Sequence, residues 1–146
     1  MATLKVNITE AITLNGSNYG AKNTISISGV NEVDKRVITV LAATNGNQIY
    51  AGGTVAGQGT FISANVKYIR ITNLDSSNHV ILHLEGSSKY AQHRLEAGKT
   101  YILGTPVGFS DTSDVDSFDD PGETITKIDA LASGGAVKLE VYVATA

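Results

Sequence analysis

At 146 residues, with no cysteine and a formal net charge of −3, the chain is long enough to bury a core but has neither disulfides nor thiolate metal sites to staple it. Six of its fourteen acids fall between Asp111 and Glu123 with no base among them, leaving eight acids against eleven bases elsewhere and no basic cluster of the kind that binds nucleic acid. The opening MATLKVNITE lacks the apolar block of a secretory signal, and no later run approaches the ~20 apolar residues of a membrane span, so the expectation is a soluble product of a cytoplasm with no membrane partner.

Fifteen glycines, two prolines and frequent Thr, Ile and Val predict short strands joined by tight turns. The fold class expected is all-β: one antiparallel β-sandwich or jelly-roll-like domain over 1–146, with an acidic loop at about 109–123. The first strands are TLKVNI (3–8) and TISIS (24–28). Two sequons between and beside them, Asn7-Ile8-Thr9 and Asn15-Gly16-Ser17, would matter only in a eukaryotic secretory pathway and are read as coincidence. RVITVLAA (36–43) and QIYAG (48–52) flank Asn45-Gly46, which predicts a hairpin with a type I′ turn, because both residues tolerate positive φ. GGTVAGQG, after the second of these, has neither the lysine nor the strand-to-helix setting of a phosphate cradle and reads as a turning loop.

VKYIRITN (66–73) and HVILHLE (79–85) are the most regular stretch. Period-two alternation puts Ile69 and Ile71 on one face with Tyr68, Arg70 and Thr72 opposite, and buries Val80, Leu82 and Leu84 while His79, Ile81, His83 and Glu85 face outward. KYAQHRL (89–95) and TYILG (100–104) continue what reads as a meander. The outward set is less polar than solvent alone requires, so Tyr68, His79, Ile81, His83 and His93 form the candidate contact surface.

No G-x-S-x-G, Walker loop, H-E-x-x-H or dinucleotide fingerprint occurs, and nothing sets a base beside a nucleophile, so neither catalytic residues nor a cofactor are assigned. His79 and His83 are four apart, about 13 Å along a strand, too far to share an ion. His83 and His93 would meet across the EGSSK turn only if the register suits. In DTSDVDSFDDPGE the carboxylates of Asp111, Asp114, Asp116, Asp119 and Asp120 suit calcium by type, but the spacing fails the EF-hand test: from Asp114 the third ligand position falls on Phe118 and the sixth is not glycine. A solvated acidic loop is the simpler reading, with a cation site or a docking patch for a basic partner as alternatives. Further on, ETITKIDALAS reads as a strand for its β-branched residues, although Asp120-Pro121 and the spacing of Ile125, Ile128 and Leu131 also fit a helix start. VKLEVYVA (137–144) buries Val137, Leu139, Val141 and Val143, and its expected partner is ETITKIDALAS across Gly134-Gly135.

The succession IRITN, a turn, VILHL, then LEAGKTYIL resembles the small β-sandwich virion proteins of tailed bacteriophages, particularly those that decorate or cement the capsid exterior. The resemblance covers residues 60–104 well and ITKIDALASGGAVKLEVYVATA more loosely. It implies a virion protein made in the host cytoplasm, carried on the outside of the capsid as a homotrimer, with the major capsid protein and itself as partners. A tail or head-fibre component is the alternative within that group. A carbohydrate-binding module is the alternative outside it; with no tryptophan, its platform would come from Tyr19, Tyr50, Tyr68, Tyr90, Tyr101 or Tyr142.

Overall fold

The computed structural model describes residues 1–43, 45–57, 59–106 and 123–146. Thirteen strands account for most of them: β1 (Ala2–Glu10), β2 (Thr13–Leu14), β3 (Ser17–Asn18), β4 (Ala21–Val30), β5 (Glu32–Val40), β6 (Asn47–Gly53), β7 (Thr60–Ile62), β8 (Val66–Asn73), β9 (Val80–Glu85), β10 (Tyr90–Leu95), β11 (Thr100–Gly104), β12 (Lys127–Ala132) and β13 (Val137–Thr145). A single 3-10 turn, Ser63–Asn65, is the only helical piece among the described residues. The all-β expectation holds, and 127–132 is strand rather than helix: Ile128, Ala130 and Ala132 are buried while Lys127, Asp129 and Leu131 alternate outward.

The strands form two packed sheets, ordered β10-β9-β12-β6-β7 and β11-β8-β13-β5. Set side by side, these orders show the design. β10 connects to β11, β9 to β8, β12 to β13 and β6 to β5, so the two members of each of these four couples lie in opposite sheets at the same place in the order. That is a jelly roll rather than a meander. Four expected pairings are corrected by it. β8 and β9, β10 and β11, β12 and β13, and β5 and β6 do not pair, because the apolar faces within each couple must oppose one another across the core.

The corner between β8 and β9 is set by Asn73, which is fully buried. Its Nδ2 donates to the carbonyls of Asn78 (2.9 Å) and Leu95 (3.3 Å), and its Oδ1 accepts from the Asp75 N–H (3.0 Å). Asp75 Oδ1 in turn accepts from Ser77 N–H (2.8 Å) and Asn78 N–H (2.7 Å), which closes the turn and holds that carboxyl below its usual range. At Asn45-Gly46, only Gly46 takes a positive φ (66°), and Asn47 Nδ2 reaches the Leu41 carbonyl at 3.2 Å, a corner instead of a two-residue hairpin.

The core joins the two inner faces: Ile69 and Ile71 from β8, Val80, Leu82 and Leu84 from β9, Ile128 from β12, and Val137, Leu139, Val141 and Val143 from β13. Each such side chain contributes about 1.5–3 kcal/mol by leaving water. The open rims of the sandwich are closed by side-chain stacks. At one rim Arg36 of β5 donates from Nη2 to the Ile49 carbonyl (2.9 Å) and lies 5.8 Å from the centroid of the Phe61 ring, which stacks on Tyr50 at 5.6 Å. At the other, His93 of β10 stacks on Tyr101 of β11 at 4.5 Å.

Residues 1–30 stand apart from this body. Among the described residues β1 and β4 pair only with each other, forming a long hairpin whose tip is the short β2–β3 ladder. There Asn15 (φ 51°) and Gly16 (φ 80°) both adopt the left-handed conformation of a type I′ turn. Almost every pair from Leu4↔Ile27 to Leu14↔Ser17 is equidistant from those two residues, so the turn fixes the register of the whole arm.

Two substitutions test this packing. Asn73→Ala removes the donor to the buried Leu95 carbonyl and the part-buried Asn78 carbonyl and the acceptor of the Asp75 N–H, and should cost about 2–4 kcal/mol in urea unfolding. A Cβ on Gly52 would lie 2.5 Å from Ser63 Oγ, 2.8 Å from the Tyr50 hydroxyl and 3.2 Å from the Ile125 carbonyl, whereas one on Gly53 meets only ordinary contacts. Gly52→Ala should therefore destabilise by about 1–3 kcal/mol, and Gly53→Ala by clearly less.

Candidate interaction surfaces

The arm is amphipathic. On one of its faces lie Leu4, Val6 and Ile8 with Ile25 and Ile27 beside them, and on the other Thr3, Lys5, Asn7 and Thr9 with Lys22, Thr24, Ser26 and Ser28. The base of the apolar face packs on the outer side of the four-stranded sheet, where Leu4, Val6 and Ile27 gather around Tyr68, Tyr142, Ala144 and Val30. Tyr68 meets Tyr142 edge-on at 6.0 Å, and burial raises the Tyr68 phenol above its ordinary pKa. Beside them Glu140 accepts from Arg70 Nη2 and lies 3.0 Å from Lys35 Nζ; Lys35 and then Arg70 hold its carboxyl below the usual range.

Beyond the base the apolar side chains emerge into solvent. Ile8 is 36% exposed, Ile25 40%, Ile12 53%, Leu14 55% and Tyr19 64%. An open cleft runs between the β1 edge and the sheet, lined among others by Val6, Ile8, Arg70, Thr100, Ile102 and Tyr142.

The five residues expected to share one contact surface are dispersed. Tyr68 does face away from the core, but it is only 4% exposed, because the chain's own arm covers it. Ile81 and His83 belong to the other sheet, on its outer face, in a shallow hollow with Gln92, Asp129 and Leu131. His79 lies just ahead of β9, where its carbonyl accepts from the Ser133 N–H at 3.0 Å. His93 is opposite Leu82 while His83 is opposite Gln92; that one-residue offset puts the two imidazoles on opposite sheet faces and turns His93 inward to the rim.

The outer face of the five-stranded sheet is largely polar, with Ile81, Leu131, Ala51 and Ile62 as its apolar members. Its cross-strand rows set Gln92, His83, Asp129 and Gln48 side by side, and Tyr90, Glu85, Lys127 and Ala51 in the next row. Lys127 Nζ lies 2.6 Å from Asp129 Oδ2 and 3.6 Å from Glu85 Oε2, and its pKa is raised, mainly by Asp129. Among the described residues no group of three or more His, Asp or Glu side chains is placed to hold a metal ion.

Asp111, Asp114, Asp116, Asp119 and Asp120 lie outside the described residues. Glu123, at the end of that acidic segment, is tied to the turn between β9 and β10: it accepts from Ser88 Oγ and from the backbone N–H groups of Ser88 and Lys89 (3.2 Å each). These donors, the Ser88 hydroxyl first, pull its pKa down to about 2. Glu123 therefore pins the segment's end to the sandwich. No helix among the described residues is long and apolar enough to cross a membrane.

Sequence reasoning missed the arm as a unit. Its signal was available in two alternating runs equally spaced about Asn15-Gly16, a pair that also belongs to a sequon. Comparison with known proteins finds no matching family model, no matching curated protein and no matching solved structure.

The geometry of Glu123 sets a pH dependence. Its folded pKa lies below the ordinary 4.5, so its contribution to stability is complete above that value and is lost as pH falls toward about 2. Glu123→Gln should lower the urea midpoint at pH 7, and the gap from the parent protein should narrow between pH 4.5 and pH 2. An unchanged gap across that range would mean the carboxylate is not held by the turn.

Proposed function

We propose that the protein is a structural component of a tailed-phage virion, a decoration protein that binds the outer capsid surface as a homotrimer and stiffens the shell. The observation that carries this reading is the amphipathic arm: a rigid jelly roll sends out a two-stranded ribbon whose apolar side chains leave the body uncovered. An exposed apolar stripe of this extent is a feature of proteins that work by contact with other proteins. The strand pattern of residues 60–104 supports the virion setting. Jelly rolls also serve as viral coat and lectin domains, an argument by analogy of fold alone.

Weak contacts suffice for such a role. An oligomer that touches several neighbouring capsomers joins them through avidity, so each protomer can bind loosely while the whole stays attached. The sugar-binding alternative is disfavoured by the tyrosines. Tyr50 and Tyr68 are buried, Tyr101 is stacked on His93 and Tyr142 packs beneath the arm. Tyr19 and Tyr90, both exposed, lie on separate elements, the arm tip and the β10 edge, and form no common platform.

Adding purified protein to expanded phage heads that lack it should give saturable binding in multiples of the lattice threefold sites and raise the temperature of capsid disruption. Absence of binding to any capsid form would overturn decoration and favour a tail or fibre location.

A further inference from the structure

We infer that the distal half of the arm is an intermolecular element: Ile8, Ile25 and the tip residues Ile12, Leu14 and Tyr19 of one copy pack on the uncovered half of the four-stranded sheet's outer face in a second copy. This deepens the proposed function by naming the surface that makes the oligomer, yet it rests on the arm and sheet alone and requires no capsid.

A two-stranded ribbon is marginal in water unless its apolar face is covered. Among the described residues, only the base of this ribbon is covered. The Leu4–Ile27 end rests on Tyr68, Tyr142 and Ala144, and the apolar face then continues without interruption through Val6, Ile25 and Ile8 into solvent. From Leu4 to Leu14 the arm extends up to about 30 Å, so its tip is presented well beyond the patch that holds its base.

The surface that fits it lies beside that patch. In the ladder between β5 and β13, Val33 pairs with Ala144 and Val37 with Glu140, so these valines extend the arm-binding patch toward the β5 edge. The chain's own arm leaves them open, Val33 46% and Val37 56% exposed. One copy cannot fill both halves of its outer face, since its arm is anchored on the Tyr68 side. The charges also agree. Glu10 is the sole charged residue on the arm's apolar face between Leu4 and Ile27; on the open strip Lys35 is paired with Glu140 at 3.0 Å, and the exposed Lys138 supplies a cation to meet Glu10. A tip-to-strip contact joins unlike surfaces, so it closes by mutual exchange of two arms or by a ring of copies, and a ring of three is the closure that matches the proposed trimer.

The absence of native cysteine makes the test direct. Leu14→Cys and Val37→Cys are introduced into separate, differently tagged full-length chains, mixed, and treated with a short bismaleimide. Heterologous cross-linked dimers should form in the mixture well above the level of either variant alone. They should also exceed a mixture of Leu14→Cys with Tyr90→Cys, a residue 55% exposed on β10 at the edge of the other sheet. Sedimentation velocity of the parent protein should show an oligomer that Leu14→Glu or Val37→Glu each shifts toward monomer, with unchanged far-ultraviolet circular dichroism. A parent protein that is monomeric at 100 μM would overturn the inference, as would cross-linking no better than the Tyr90 control. Because no capsid is present, either failure leaves capsid binding to be decided by its own experiment.

Discussion

The structure depends on the burial of β13. Val137, Leu139, Val141 and Val143 are essentially inaccessible on its inner face, and its backbone is paired on both sides, to β5 and to β8. Because β13 is central, its outer face lies in the middle of the four-stranded sheet, and Tyr142 and Ala144 on that face receive the arm. One strand thus supplies both the core and the platform. A change that tilts or slips β13 by one residue would exchange the valines with Lys138, Glu140 and Tyr142 and destroy both together.

The jelly-roll order follows from the same burial. Two regular stretches joined by a short polar turn can pair as a hairpin or face each other across a core, and alternation of residue type is identical in the two cases. This is why strands 66–73 and 79–85 were legible in the sequence almost to the residue, while their placement in different sheets was not. The deciding group is Asn73, whose amide fits the corner only when the chain leaves the sheet there. Likewise Asn-Gly occurs twice with opposite outcomes. Asn15-Gly16 closes a ribbon because the runs on either side are of matching length and face. Asn45-Gly46 cannot, because Arg36 and Ile49 must meet through the core rim rather than side by side.

The candidate surface was legible only in part. Ile81 and His83 do share an outer face, as alternation predicts, but alternation says nothing about which outer face another element covers. Tyr68 was correctly placed away from the core and is nevertheless buried, because residues 1–30 return over it. The histidines divide for a reason of register that no single strand reveals. A pattern within a strand fixes its two sides; the neighbour, and the cover, come from elsewhere in the chain.

The arm has two halves with different partners, its base on its own sheet and its distal part on none of the described residues. Amide hydrogen exchange resolved by residue tests this most directly. In dilute solution the amides of β13 should exchange slowest, those near Leu4 and Ile27 at an intermediate rate, and those from Ile8 to Asn23 fastest, with the last group slowing as protein concentration rises. If the distal arm were as protected as β13 at the lowest concentration, its apolar face would be covered within one chain and the claim would be wrong.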